Sequence, residues 1–142
     1  MSENEKEMQE KMIMYQLLQR QLDIFKEQLM QLEKTLIEVE TTNQILVDMK
    51  KLKKDSEVMI SLGSGLFVQG KIINAKKIVM SPGANVMVEN DIEKSREELE
   101  KKKKEMEKMG KKLQDEMNGI VQRINQIGPE LEKMAQQARK KK

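Results

Sequence analysis

The chain has 142 residues, of which 36% are charged and only 2% aromatic, so its composition predicts long helices or coiled coils rather than a large globular core. It contains no Cys and no His, which removes disulfides, thiolate nucleophiles, the commonest general base and the commonest transition-metal ligand. We therefore expect no enzyme, no cofactor and no metal site. The net charge of only +3 argues weakly for a nucleic-acid partner.

The sequence also argues against a membrane protein. No apolar run approaches the roughly 20 residues that a membrane-spanning helix needs. The first segment, MSENEKEMQEK, lacks the basic start and apolar core of a secretory signal. We expect a soluble cytoplasmic protein with no membrane partner.

Residues 1–54 are predicted to form an N-terminal coiled-coil helix. Apolar residues alternate at steps of three and four from Tyr15 to Val39 and resume at Leu46, as in a heptad seam. Asn43 occupies the core position between these last two residues. Two interpretations stay open: Asn43 fixes the register of the coiled coil, or it faces solvent near the end of the helix.

The start of this helix has more apolar residues than a pair of helices can bury. Those in its first turns are Met8, Met12, Ile13, Met14 and Leu17, and others lie off the seam at Ile24, Met30 and Ile37. Exposed apolar surface usually marks an interaction site, and the flexible thioether of Met suits varied partners. The alternative is a third helix that covers these residues.

Residues 55–90 change to a strand pattern with two similar blocks, ISLGSGLFV and MSPGANVMV, twenty residues apart. The predicted strands are 58–62, 66–73, 78–81 and 86–89, joined in pairs as two antiparallel hairpins. The predicted turn residues are of types that accept positive φ: Gly63, Gly65, Gly83 and Asn85.

The glycine blocks are poor candidates for phosphate-binding loops. Such loops join a strand to a helix, whose N-terminus faces the phosphate. Here each block leads into a second apolar strand, and no Gly-Lys-Ser or Gly-Lys-Thr follows. No nucleotide cofactor is expected.

The hairpins are predicted to be oligomerisation elements. Their strands carry apolar residues on both faces, and isolated hairpins with open edges are marginally stable in water. We expect them to join strands of other subunits in a sheet or barrel. The predicted contact residues are Val58, Ile60, Leu62, Leu66, Phe67, Val68, Ile78, Met80, Val86 and Val88.

Residues 91–142 are predicted to form a C-terminal coiled-coil helix, with Asn90 or Asp91 as its N-cap. Apolar residues recur every seventh position from residue 92, and a second apolar column joins after residue 113. The pair Gly128-Pro129 is expected to kink or end the helix. The Lys runs at 101–104 and 140–142 lack interleaved aromatics, so they indicate solvated helix surface rather than nucleic-acid binding.

The central stretches SLGSGLFVQGKI and IVMSPGANVMVEN, placed between two arms of equal length, resemble those of a prefoldin subunit of the α class. The resemblance covers essentially the whole chain. It implies a mainly α fold with a small β element, in which a long antiparallel two-helix coiled coil is joined by two β-hairpins.

The resemblance also implies a function. Prefoldin subunits form an ATP-independent chaperone, or holdase, that captures unfolded polypeptides at apolar coiled-coil tips and delivers them to a group II chaperonin. Carried onto this sequence, the client contacts would be Met8, Met12, Ile13, Leu17, Leu131, Met134 and Ala138. The partners would be unfolded clients, the chaperonin and other prefoldin subunits.

Two assemblies are compatible with this resemblance. An α-class subunit pairs with β-class subunits in a hexamer, whereas a divergent archaeal branch, the gamma branch, assembles with itself into filaments. Competing functions are a purely structural filament, which leaves the apolar tip unexplained, and a nucleic-acid-binding coiled coil, which leaves the hairpins unexplained.

Overall fold

A computed structural model describes residues 2–140 and places them in two long helices and two β-hairpins. The elements in chain order are α1 (Glu3–Met49), β1 (Glu57–Gly63), β2 (Leu66–Lys71), β3 (Lys77–Gly83), β4 (Val86–Asp91) and α2 (Ile92–Lys140). This arrangement confirms the predicted fold class, mainly helical with a small β element. Lys141 and Lys142 of the second lysine run lie outside the described residues.

By their contacts the residues group into two compact units. The helical unit comprises Met1–Lys34 and Met106–Lys142, and the hairpin unit comprises Thr35–Glu105. Each unit contains one stretch of α1 and one stretch of α2. The predicted domain boundaries at residues 54 and 90 follow the ends of the helices rather than the boundaries of these units. The predicted division into three domains stays a prediction.

In the helical unit the two helices run antiparallel, since Lys11 lies opposite Glu130 and Leu32 lies opposite Gly110. Except for Ala138, which is exposed, the predicted seam residues of this unit are buried or half-buried. They are Tyr15, Leu18, Leu22, Phe25, Leu29, Leu32, Met106, Leu113, Met117, Ile120, Ile124, Ile127, Leu131 and Met134. The heptad pattern therefore identified the packed face of both helices in this unit.

The helix α2 continues through Gly128-Pro129 as far as Lys140, so the expectation that this pair ends the helix is wrong, while the expected kink stays a prediction. Pro129 has no N–H group and cannot donate to the carbonyl of Asn125, which costs α2 one backbone hydrogen bond. The ring of Tyr15 packs beside Gly128, with its Cε2 atom 3.6 Å from the position that a Cβ would take. This packing and the helical turns on both sides keep the helix intact.

In the hairpin unit, α1 and α2 bury Val39, Leu46 and Ile92 between them. The strand β4 runs directly into α2, and Asp91 is the N-cap, because its Oδ1 accepts a hydrogen bond of 2.7 Å from the backbone N–H of Lys94. Of the two N-cap candidates in the sequence, the structure selects Asp91. Its backbone carbonyl also accepts a bond from the hydroxyl of Ser95, which is 1% exposed.

The connection from α1 to β1 is held by backbone and hydroxyl contacts. The hydroxyl of Ser56 donates a hydrogen bond of 2.6 Å to the carbonyl of Lys53 and accepts one of 3.1 Å from the N–H of Lys53. Asp55 has a φ of 66° and donates its N–H to the carbonyl of Ile72 at 2.9 Å. These bonds place the start of β1 beside the end of β2.

The strands form two separate two-stranded antiparallel sheets, β1 with β2 and β3 with β4. Their registers are the same after a shift of twenty residues: Glu57 pairs with Lys71 as Lys77 pairs with Asp91. β2 ends at Lys71, two residues before the predicted strand end. The second hairpin is thus a structural repeat of the first.

Both hairpins turn through two residues rather than the three or four that the glycine blocks predicted. Ser64 and Gly65 have φ values of 53° and 79°, and Ala84 and Asn85 have values of 52° and 59°. Positive φ at both central residues is the signature of type I′ turns, whose twist matches that of paired strands. Gly63 and Gly83, which also have positive φ, end the first strand of each hairpin beside a bulge.

Candidate functional site

A cluster of large apolar side chains lies exposed near the start of α1. Met12, Ile13, Met14 and Leu17 retain 44%, 52%, 41% and 53% of their surface in contact with solvent. We name these four residues the α1 apolar cluster. No third helix is present among residues 2–140 to cover them, so that alternative is wrong for the part of the chain that the structure describes.

The other residues predicted to contact clients lie in different surroundings. Met8, Leu131 and Met134 are half-buried, the last two because they belong to the seam of α2, and Ala138 is exposed but offers only a methyl group. Most of the accessible apolar surface of the predicted set therefore lies on α1. Met14 was not in the predicted set, although its place in the methionine-rich first turns was the available signal.

The α1 apolar cluster lies next to a contact between the two helices. The Nζ atom of Lys11 is 2.8 Å from Oε2 of Glu130 and 3.6 Å from Oε1 of Glu7. The hydrogen bond with Glu130 and the charges of both carboxylates raise the pKa of Lys11 above its ordinary value of 10.5. This ion pair joins α1 to α2 beside exposed apolar residues in the helical unit.

The hairpins form a second apolar surface. Seven of the ten predicted contact residues are exposed by 40% or more: Ile60, Leu62, Leu66, Phe67, Val68, Val86 and Val88. The other three, Val58, Ile78 and Met80, are half-buried. Sequence reasoning left four further exposed apolar residues out of this set: Met59, Ile73, Val79 and Met87.

Each hairpin has a free edge on both sides, because β1 and β2 pair only with each other, and so do β3 and β4. Free edges carry unpaired N–H and C=O groups that can pair with a strand of another chain. Free edges and apolar faces together are the features of a surface built for strand addition.

The four predicted turn residues lie where the turns need them. Gly63, Gly65, Gly83 and Asn85 all have positive φ. They shape the hairpins, and the backbone around them runs from strand to strand rather than from strand to helix.

Other kinds of site were sought in the same residues. Within residues 2–140 no group of three or more acidic side chains is placed to hold a metal ion. None of the helices in this range is long and apolar enough to cross a membrane.

The chain is similar to proteins of one family. The sequence pattern of the family described as "Prefoldin subunit" matches residues 18–137. Prefoldin subunit alpha of Pyrococcus horikoshii is 30% identical over 96 residues, which cover 67% of this chain and 65% of that protein. Prefoldin subunit alpha of Methanococcus vannielii is 34% identical over 77 residues, which cover 51% of this chain and 53% of that protein. The matches thus span about half to two thirds of the length of these relatives.

A solved structure shows the same fold. The filamentous PFD from Methanocaldococcus jannaschii, determined by cryo-EM, superposes with a TM-score of 0.73 at 20% sequence identity, over 82% of this chain and 96% of that one. The pairing of two long helices with two hairpins, the match to the family over most of the sequence and this superposition agree. The chain belongs to the prefoldin family.

Proposed function

We propose that the protein is a chaperone subunit that holds unfolded polypeptides without ATP and passes them to a group II chaperonin. The observation that carries this proposal is the exposure of the α1 apolar cluster beside an otherwise regular helix pair. Clients would bind at Met12, Ile13, Met14 and Leu17, with Met8, Leu131, Met134 and Ala138 at the margin. The proposed role requires neither catalysis nor a cofactor, and the proposed location is the cytoplasm.

The size of the cluster suits reversible capture. Full burial of a large aliphatic side chain contributes about 1.5–3 kcal/mol, and these side chains are already roughly half-buried. Each would therefore contribute about half that amount, and one cluster would hold a client weakly. Several subunits acting on one client would multiply this affinity, which gives the assembly a functional purpose.

The test replaces Met12, Ile13, Met14 and Leu17 together with Gln, a good helix former that keeps the length of the side chains. We expect this variant to lose most of its ability to suppress the aggregation of a denatured model protein on dilution from urea, measured by light scattering. Helix content, measured by circular dichroism, should stay unchanged.

A matched control replaces Met30 and Ile37 with Gln. These side chains are 58% and 62% exposed, but they lie farther along α1. The control should suppress aggregation like the unaltered chain. Full activity of the fourfold variant would overturn the proposed binding site.

A second candidate function is self-assembly into a homo-oligomer or filament with a chaperone or structural role. The likeness to a filamentous PFD at a TM-score of 0.73 fits this alternative. The size of the pure chain in solution, measured by light scattering and negative-stain microscopy, separates the two. Elongating particles support the filament, whereas a small discrete species that grows to a hexamer only with β-class subunits supports the hexamer.

A further inference from the structure

The two hairpins share one backbone design. Both have a first strand of seven residues and a second strand of six, joined by a two-residue turn with positive φ. The cross-strand partners correspond after a shift of twenty residues, except that Ser61 and Phe67 pair in the first hairpin and Ser81 and Met87 do not in the second. Geometry alone would therefore allow either hairpin to add to either hairpin of a second copy.

The charges at the base of the hairpins break this equivalence. Hairpin 1 begins with Glu57 and ends with its partner Lys71, whereas hairpin 2 begins with Lys77 and ends with its partner Asp91. All four side chains are exposed. The same backbone positions thus carry opposite charges in the two hairpins.

These charges select partners when a hairpin edge adds to another edge. In an antiparallel addition with both turns on the same side, the start of one strand lies beside the end of the next. Hairpin 1 beside a second hairpin 1 then places Glu57 next to Lys71, and hairpin 2 beside a second hairpin 2 places Lys77 next to Asp91. Opposite charges on neighbouring strands stabilise such a pairing.

Mixed pairing has the opposite result. Hairpin 1 beside hairpin 2 places Lys71 next to Lys77 at one edge, or Asp91 next to Glu57 at the other. Like charges at directly opposing positions destabilise a strand pair. The carboxylate of Asp91 also accepts the N-cap bond from the N–H of Lys94, and its charge stays at the base of hairpin 2.

We propose that each hairpin adds to the same hairpin of a second copy of this chain, and that the four charges at the hairpin bases exclude mixed pairing. The proposal rests on the proposed assembly through the hairpins and names its partner. The exposed apolar side chains supply the attraction, and the charges decide which hairpins meet.

The experiment compares three forms of the full chain, each with two different affinity tags. They are the unaltered chain, the single variant Glu57→Lys and the exchanged variant Glu57→Lys with Lys71→Glu. The single variant places Lys beside Lys in every hairpin 1 contact, so it should assemble at a higher concentration than the unaltered chain. The exchanged variant restores an opposite pair at each contact between two first hairpins and should assemble alone as the unaltered chain does. Its hairpin 1 then has the same order of charges as hairpin 2, so contacts between these two hairpins are no longer excluded.

The decisive measurement is co-assembly of the exchanged variant with the unaltered chain. Every mixed contact between their first hairpins joins two like charges, so mixed neighbours joined through hairpin 1 should be about 2-fold to 30-fold rarer than random mixing gives, while contacts between two second hairpins stay unaffected. Both chains carry Ser64→Cys in the turn of hairpin 1 as their only Cys, so a short bismaleimide crosslinker joins neighbouring first hairpins. Capture of the crosslinked pairs on one tag and quantification of the other tag then measures the ratio for hairpin 1 alone. High salt should raise the fraction of mixed neighbours toward the value for random mixing, since salt screens exposed charges.

A matched control exchanges Lys34→Glu and Glu38→Lys, which are exposed side chains one turn apart on α1. This control should mix freely with the unaltered chain. Random mixing of the hairpin variant would overturn the proposal, because a role of Glu57 and Lys71 within one hairpin predicts that result.

Failure of the underlying function has a different signature. An unaltered chain that stays monomeric would overturn both self-assembly and the proposed pairing of like hairpins. Aggregation suppression by that monomer would leave the proposed client-binding cluster standing.

Discussion

The Nε atom of Arg96 in α2 donates a hydrogen bond of 3.0 Å to Oδ1 of Asn43 in α1. The amide of Asn43 in turn donates to Oε1 of Glu100 at 3.3 Å, so one side chain of α1 contacts two residues one turn apart on α2. Nearby, Lys103 lies 3.3 Å from Glu40, and Lys50 pairs with Glu93. Asn43 therefore faces α2, which excludes the interpretation that it faces solvent, and its role in fixing the register stays a prediction.

The contacts of Asn43 predict a cost for its removal. We expect Asn43→Ala to lower the free energy of unfolding by about 1–2 kcal/mol, because two hydrogen bonds to charged side chains are lost in a half-buried setting. Urea unfolding followed by circular dichroism measures it. The control is Thr42→Ala, whose hydroxyl bonds only the carbonyl of Glu38 in its own helix, and which should leave stability nearly unchanged. Equal effects of both changes would contradict the role given to Asn43.

The glycines of α2 predict a contrast between two equivalent substitutions. Gly119 has no atom within 4 Å of the position that a Cβ would take, whereas at Gly110 the Cδ2 atom of Leu32 would lie 3.3 Å away. We expect Gly119→Ala to stabilise the helix by about 0.5–1 kcal/mol, since Ala loses less backbone entropy than Gly. Gly110→Ala should increase the stability by less or not at all, because the side chain of Leu32 must move to make room for the new methyl group. Thermal unfolding of both variants tests the difference, and an equal gain at both sites would show that packing against Leu32 is unimportant.

The turn of hairpin 2 contains an Ala in a conformation that suits Gly. Ala84 has a φ of 52°, and an L-residue pays roughly 1–2 kcal/mol for the left-handed region. We expect Ala84→Gly to stabilise hairpin 2 by up to about 1 kcal/mol, visible as slower amide hydrogen exchange in β3 and β4. Ala75→Gly, at a position without positive φ, serves as the control and should bring no such protection.

The pair Lys11–Glu130 predicts a change at alkaline pH. Because the pKa of Lys11 is raised in the folded state, the pair contributes stability below the ordinary Lys value of 10.5, and the contribution disappears as the pH rises through the raised pKa. We expect Lys11→Gln to melt slightly below the unaltered chain at pH 7 and at the same temperature once the pH exceeds that pKa. Both side chains are partly exposed, so the difference at pH 7 should also shrink in high salt. A difference that persists at all pH values would show that Lys11 acts by packing instead.

Much of the fold follows from local pattern. The heptad seam located the packed faces of α1 and α2, since its period of 3.5 residues keeps one stripe of each helix toward the other. The change from helical to alternating periodicity located the strands, and the two glycine blocks located the turns of both hairpins. The turn lengths were wrong because Gly63 and Gly83 end strands rather than open loops, a distinction that depends on strand register.

The candidate site was predicted less completely. Periodicity marked the start of α1 as over-apolar, but the predicted client contacts combined seam residues with residues outside the seam. Leu131 and Met134 were grouped with Met12 and Leu17, although the first two lie in the seam and the last two lie outside it. Met14 was omitted although the sequence placed it among the excess apolar residues of the first turns, and it is 41% exposed.

The sequence by itself determined the class of this protein: two long amphipathic helices, two glycine-turned hairpins and no chemistry-bearing Cys or His. These features depend on local interactions, which residue spacing encodes directly. Only the tertiary structure decided which apolar residues stay exposed, that Asn43 meets Arg96, and that the two hairpins share one register with opposite charges at their bases. Those facts depend on contacts between residues that are far apart in the sequence. Such contacts form only when the helices and strands pack together, so residue spacing does not encode them.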